Sequence, residues 1–202
     1  MAAKKKPASA AQPDELPTIA FADRAAWQLW LSTHHASSSG LWLKFAKKGS
    51  PTSSISYAQA LDVALAWGWI DGQKRALDTL WWRQRFTRRG PRSIWSRINR
   101  DKALALIAAG EMQPAGLAEV ERAQLDGRWD GAYESQSRAT VPPDLAAALQ
   151  ANPRAAAFFA TLSSQNRYAI LFRLHTAKRA QTRLARIGKF VEMLARGETL
   201  HP

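Results

Sequence analysis

IDGQKRALDTLWWRQRFT, residues 70–87, is the stretch on which the fold turns. Ile70–Leu77 and Leu80–Thr87 are two runs of strand length joined near Asp78-Thr79, a spacing that predicts a β-hairpin. Successive side chains of a strand face opposite ways, so Arg83, Arg85 and Thr87 share one face and Trp82, Gln84 and Phe86 the other. Upstream, Gly40–Phe45 alternates and breaks at Lys47-Lys48-Gly49-Ser50-Pro51, which predicts a third strand followed by a loop.

Helical signals surround these strands. Asp23 can cap a helix that sets Trp27, Trp30 and Leu31 on one face. Ser56-Tyr-Ala-Gln is a capping box for a helix to about Trp67, with Leu61, Ala64 and Leu65 as its buried stripe. Gly68 follows as a C-cap. Asn99, with Asp101 behind it, opens a helix that Gly110 closes, and Pro114 opens one that runs to Leu125. Four more helices are predicted over 143–150, 153–162, 165–177 and 181–195. The fold class is therefore α+β and helix-dominated: a small antiparallel sheet packed with helices, then a C-terminal helical region. The expected division is a basic disordered tail (1–17), a core domain (18–137), a connector (138–143) and the helical region (144–202).

Composition narrows the function. There is no cysteine, which removes disulfides, thiol nucleophiles and cysteine-ligated metal. The four histidines form no HExxH-type pair, so neither a metal nor another cofactor is expected. The basic start lacks an apolar core, so a secretory leader is not expected there. No run approaches the ~20 apolar residues of a membrane span. A cytoplasmic location is the expectation. The net charge of +13 argues for an anionic partner. It is unevenly spread, since residues 83–100 and 167–189 contain no Asp or Glu.

The candidate site lies within Trp67–Asn99. Asp71, between two glycines and near Lys74 and Arg75, is either a structural ion-pair partner or a site acid. Arg83, Arg85 and Thr87, continued by Arg88 and Arg89, form a row of planar donors suited to phosphate or carboxylate. Ser93, Ser96 and Asn99 stand where a helix begins, a ready anion seat, with Trp95 as its wall. A secondary basic surface is expected from Arg179, Arg183 and Arg186, which fall on one helix face. The bland reading of that surface is solvated charge.

These motifs carry a resemblance. GWIDGQ (68–73), RFT followed by arginines (85–89) and SIWSRIN (93–99) are similar to the YdeI/OmpD-associated, bacteriocin-protection-like family of bacterial proteins. Leu41-Trp42-Leu43-Lys44, Gly127-Arg128-Trp129-Asp130 and the tail around Arg183 and Arg186 extend the likeness from about Ile19 onward. The family pattern Thr-Pro-Arg-Arg is here Thr87-Arg88-Arg89-Gly90, a more flexible turn. The resemblance implies a link to envelope stress or bacteriocin resistance, but no reaction and no catalytic residue.

Three functions are compatible with these residues. The first is a binding module for a small anionic ligand or an anionic group of a macromolecule. The second is an enzyme using Asp71 with the arginines. It is disfavoured, because no catalytic motif is present and a carboxylate among arginines suits a salt bridge better than proton transfer. The third is a nucleic-acid binder acting through net charge, which no helix-turn-helix, zinc or RNP signature supports.

Overall fold

The computed structural model describes residues 16–202, so the expected tail lies outside the described residues up to position 15. The chain divides into two compact units. The first runs to Trp95 and resumes over Asn99–Gly131; the second takes Ser96–Ile98 and Ala132–Pro202.

The first unit is built on a four-stranded sheet of order β1-β2-β4-β3, with β1 Thr18–Ala20, β2 Leu41–Ala46, β3 Trp69–Ala76 and β4 Trp81–Arg88. The hairpin predicted from residues 70–87 is β3–β4, and β2 pairs antiparallel with the other side of β4. β1 was not foreseen, being only three residues long with no alternation to read. It adds a parallel edge through Thr18↔Trp42 and Ala20↔Lys44, so the sheet is mixed. Between Asp71 and Lys74 the β3 register shifts by one residue, a β-bulge.

Helices α1 (Arg24–His34) and α2 (Tyr57–Ala66) cover one face of the sheet. Asp23 accepts from the Ala26 amide at 2.9 Å and caps α1. The Ser56–Gln59 capping box starts α2 as predicted. Trp27, Leu31, Leu41, Leu43, Phe45, Trp69 and Phe86 form the core between helices and strands, with Trp67 packed on its edge. Gly68, at φ +72°, ends α2. Helix α3 spans Arg97–Ala108, and its residues from Asn99 belong to this unit.

Helix α4 (Pro114–Leu125) then closes tightly on the end of α2. The Gln113 amide donates to the Ala66 carbonyl at 3.1 Å, and a Cβ at Gly116 would lie 2.2 Å from that same oxygen.

The second unit contains α5 (Pro143–Gln150), α6 (Pro153–Thr161), α7 (Ser164–His175) and α8 (Ala180–Ala195). These are the four helices expected from the sequence. Their apolar stripes meet in a separate core of Leu145, Leu149, Phe159, Ile170, Leu174, Ile187, Phe190 and Leu194. The buried Asn166 side chain grips the His201 backbone at both its amide and its carbonyl, which fastens the last residues to α7.

Candidate anion-binding face

The sheet of the first unit has a second face, turned away from the core cluster. Alternation along β4 sends Gln84 and Phe86 to the core and Arg83, Arg85 and Thr87 to the other side. Pairing then builds a row. Lys44 of β2 stands directly opposite Arg83, and Arg75 of β3 stands opposite Arg83 on its other side. Three cations thus lie abreast over three strands, about 10 Å across at ordinary strand spacing. Arg85, paired with Trp42, sits one step along the same face.

Trp42 is the floor of this face. Its ring is fully buried, with the Arg83 guanidinium 4.5 Å and the Arg75 guanidinium 5.0 Å from its centroid. Lys44 lies 4.5 Å over Trp81 in the same manner. Indole faces attract cations, so the two rings hold the charged groups in place. Arg83 donates through Nη1 to the Thr18 hydroxyl at 3.2 Å. The Nε atoms of Arg83 and Arg85 are buried and meet no hydrogen-bond acceptor among the described residues. Gly72 makes room for Arg85, since a Cβ there would fall 3.0 Å from its Nε.

Asp71 is elsewhere. It pairs with Phe86 and faces the core side, where its Oδ2 accepts from the Tyr57 hydroxyl at 2.7 Å and from Gln84 Nε2 at 3.3 Å. The bulge is the reason. Asp71 and Arg75 are four apart, which in a regular strand is one face; the extra residue sends Arg75 to the opposite one. Lys74 stays on the Asp71 side, 4.3 Å over Trp82.

The other expected site residues are dispersed. Arg88 is exposed and donates to the Ala36 carbonyl at 3.0 Å. Arg89 is buried, 3.5 Å over the Trp95 ring, and donates to the Ile94 carbonyl. Trp95 itself is only 1% exposed, edge-on to Trp129, so it is part of a packed layer and not the wall of an open seat. Ser93 closes a turn, accepting from the Gly90 amide through its hydroxyl, and its carbonyl takes the Arg128 guanidinium at 2.6 Å. Its hydroxyl is therefore spent four residues before α3 begins. Ser96 bridges to Tyr133 in the second unit, and Asn99 lies in the first turn of α3.

Arg183 and Arg186 follow neither reading offered for them. Arg183 forms a two-pronged pair with Asp144 (Nε–Oδ2 2.5 Å, Nη2–Oδ1 2.9 Å) and donates to the Leu174 carbonyl at 2.8 Å. Arg186 donates to the Arg173 carbonyl. Both satisfy the open end of α7, a structural cap at a helix C-terminus. The Arg183 guanidinium holds the Asp144 carboxyl below its ordinary value, and Asp144 raises Arg183 in return. Arg179 stands at the N-cap of α8.

Of the predicted residues, the fold thus gathers Arg83, Arg85 and Thr87 on one face. It adds Trp42, Lys44, Arg75 and Trp81, which sequence reasoning did not select. Their signal was present only as register, since each lies on the matching parity of its strand.

Among the described residues no cluster of His, Asp or Glu could hold a metal ion, and no helix is long and apolar enough to cross a membrane.

Residues 19–119 match the family model of a domain of unknown function, DUF8412. Residues 138–197 match the model described as bacteriocin-protection, YdeI or OmpD-associated. The expected resemblance is therefore met over the C-terminal helices, while the motifs from Gly68 to Asn99 and the cationic face lie in the first match. No curated protein and no solved structure matches the chain.

Proposed function

The chain belongs to the DUF8412 family through residues 19–119, a membership that brings no reaction with it, and we propose that its sheet is a binding module for an anionic ligand carrying several charges. The observation that carries this reading is the row Lys44–Arg83–Arg75. Like charges directly opposite each other on a sheet destabilise it. An anion laid across the row reverses that sign, and a multivalent one engages more than one strand. Arg83 and Arg85 are each half-buried, and the accessible part of their guanidiniums offers charge-assisted donors to such an anion.

A nucleic-acid reader is less well supported. Binding of single strands relies on open aromatic faces for the bases, whereas Trp42 and Trp81 are covered by cations. An enzyme built on Asp71 and the arginines needs them together, and Asp71 is hydrogen-bonded by Tyr57 and Gln84 on the other side of the sheet.

The test is calorimetric titration with inorganic tripolyphosphate and with orthophosphate at low salt. Tripolyphosphate is expected to bind more tightly, by about tenfold for each additional charge-assisted contact. Arg83→Gln/Arg85→Gln should lose this binding while unfolding as the wild type does. Equal binding by the double variant overturns the reading. From the match over 138–197 we also infer a part in bacteriocin protection. Survival under bacteriocin challenge of a deletion strain, complemented with the wild-type chain or the double variant, tests it, and equal survival without complementation removes it.

A further inference from the structure

The second unit has its own cavity, of about 170 Å³, and nothing in the cationic sheet face accounts for it. Its walls are aromatic. Tyr133 and Phe172 meet edge-to-face at 5.0 Å between centroids, Tyr168 lies 5.9 Å from Phe172, and Leu171 and Pro142 add to the apolar lining. The Tyr168 hydroxyl is turned to the Glu134 carbonyl at 2.8 Å, so this ring presents its carbon surface to the cavity. A volume of roughly 150 Å³ holds one benzene ring, and this cavity, open at its polar mouth, is slightly larger.

The mouth is polar, lined by Arg97, Glu134 and His175. Arg97, whose side chain is 52% exposed, pairs with Glu134, Nη1–Oε1 at 2.6 Å. A guanidinium has five donors, so this pair leaves donors for a second acceptor. His175, the exposed last residue of α7, also lines the opening. Arg183 reaches the lining as well, with its charge balanced by Asp144.

We infer that this cavity is a binding site for a small single-ring aromatic acid, its ring edge-to-face with Tyr133 and Phe172 and its carboxylate at Arg97 and His175. Edge-to-face packing suits the quadrupoles of the lining rings, and a planar carboxylate matches a guanidinium. The site lies in a different unit from the sheet face, so the two proposals stand or fall separately.

Saturation-transfer NMR on the full chain tests it with three probes of equal ring size: benzoate, benzyl alcohol and benzylamine. Benzoate is expected to bind about tenfold more tightly than benzyl alcohol, the ratio one charge-assisted contact supplies, and benzylamine not at all. Thr140→Trp, at an exposed lining position, should plug the mouth and abolish benzoate binding with circular dichroism unchanged. Arg97→Gln should erase the preference for benzoate over benzyl alcohol. Arg83→Gln/Arg85→Gln should bind benzoate as the wild type does. Equal binding of the three probes, no binding of any, benzoate binding retained by Thr140→Trp, or its loss in the sheet variant would each overturn the inference.

Discussion

Gly116→Ala sets two physical effects against each other, and the structure gives the sign. Gly116 lies in the first turn of α4, where alanine gains at most about 1 kcal/mol over glycine in helix propensity. Its missing side chain is what lets α4 sit on the end of α2. A Cβ there would be 2.2 Å from the Ala66 carbonyl oxygen, 2.5 Å from Met112 Sδ and 2.9 Å from the Ala66 carbonyl carbon. Carbon contacts settle at roughly 3.5–4.0 Å, so α4 must retreat by about 1 Å. The sulfur can swing away, but the Ala66 peptide is fixed by the helix it belongs to. Overpacking of this kind costs about 1–3 kcal/mol. Retreat also breaks the Gln113–Ala66 hydrogen bond, worth about 1 kcal/mol. The net is a loss of about 1–3 kcal/mol. All nine tryptophans lie in the first unit, so urea unfolding followed by indole fluorescence reads this unit alone. A midpoint equal to or above that of the wild type would refute the argument.

Four further outcomes are expected. Gly188→Ala, deep in α8 with nothing within 4 Å of the added Cβ, should raise the stability of the second unit by about 1 kcal/mol, read by far-UV circular dichroism in urea. Gly72→Ala, which crowds Arg85, should weaken tripolyphosphate binding several-fold while shifting stability by less than about 0.5 kcal/mol; calorimetry and fluorescence unfolding separate the two. The Asp144–Arg183 pair makes the second unit acid-sensitive. The folded carboxyl lies below its ordinary value of 3.8, so its contribution is present above that value and fades as pH falls through the lower folded value. Unfolding midpoints at pH 6 and pH 2.5 should therefore differ by less in Asp144→Asn than in the wild type, and an unchanged difference would exclude the pair. Burial raises the Tyr168 phenol above its ordinary value of 10.0. Ultraviolet titration should show one tyrosine ionising later than in Tyr168→Phe, and stability should decline as pH passes the ordinary phenol value, because the unfolded chain releases that proton first.

Most elements were legible because their signals are local. The Ser56–Gln59 box, the Asp23 cap and the prolines at 114, 143 and 153 each act within one helical turn. The faces of β4 were legible as well, because parity within one strand needs no partner. What depends on two strands or two helices was not. Lys44 and Arg75 join Arg83 only through register, and Arg183 caps α7 only because α8 returns beside it. Trp95 was expected at a surface because polar residues flank it, yet Trp129 and Arg89, 34 residues downstream and six upstream, bury it.

The bulge between Asp71 and Lys74 has a consequence for reading related chains. Which side of the sheet a residue takes depends on the count of positions, odd or even, and a bulge changes that count by one. A relative one residue shorter between the carboxylate and the arginine, with regular pairing, would display the same two surfaces as this chain. A relative of equal length with regular pairing would put carboxylate and arginine on one side of the sheet, so the row would either gain an opposite charge or lose its third cation. Across such relatives, then, a gap after GWID signals no lost residue of the site; length and register taken together tell which sheets still carry a positive field.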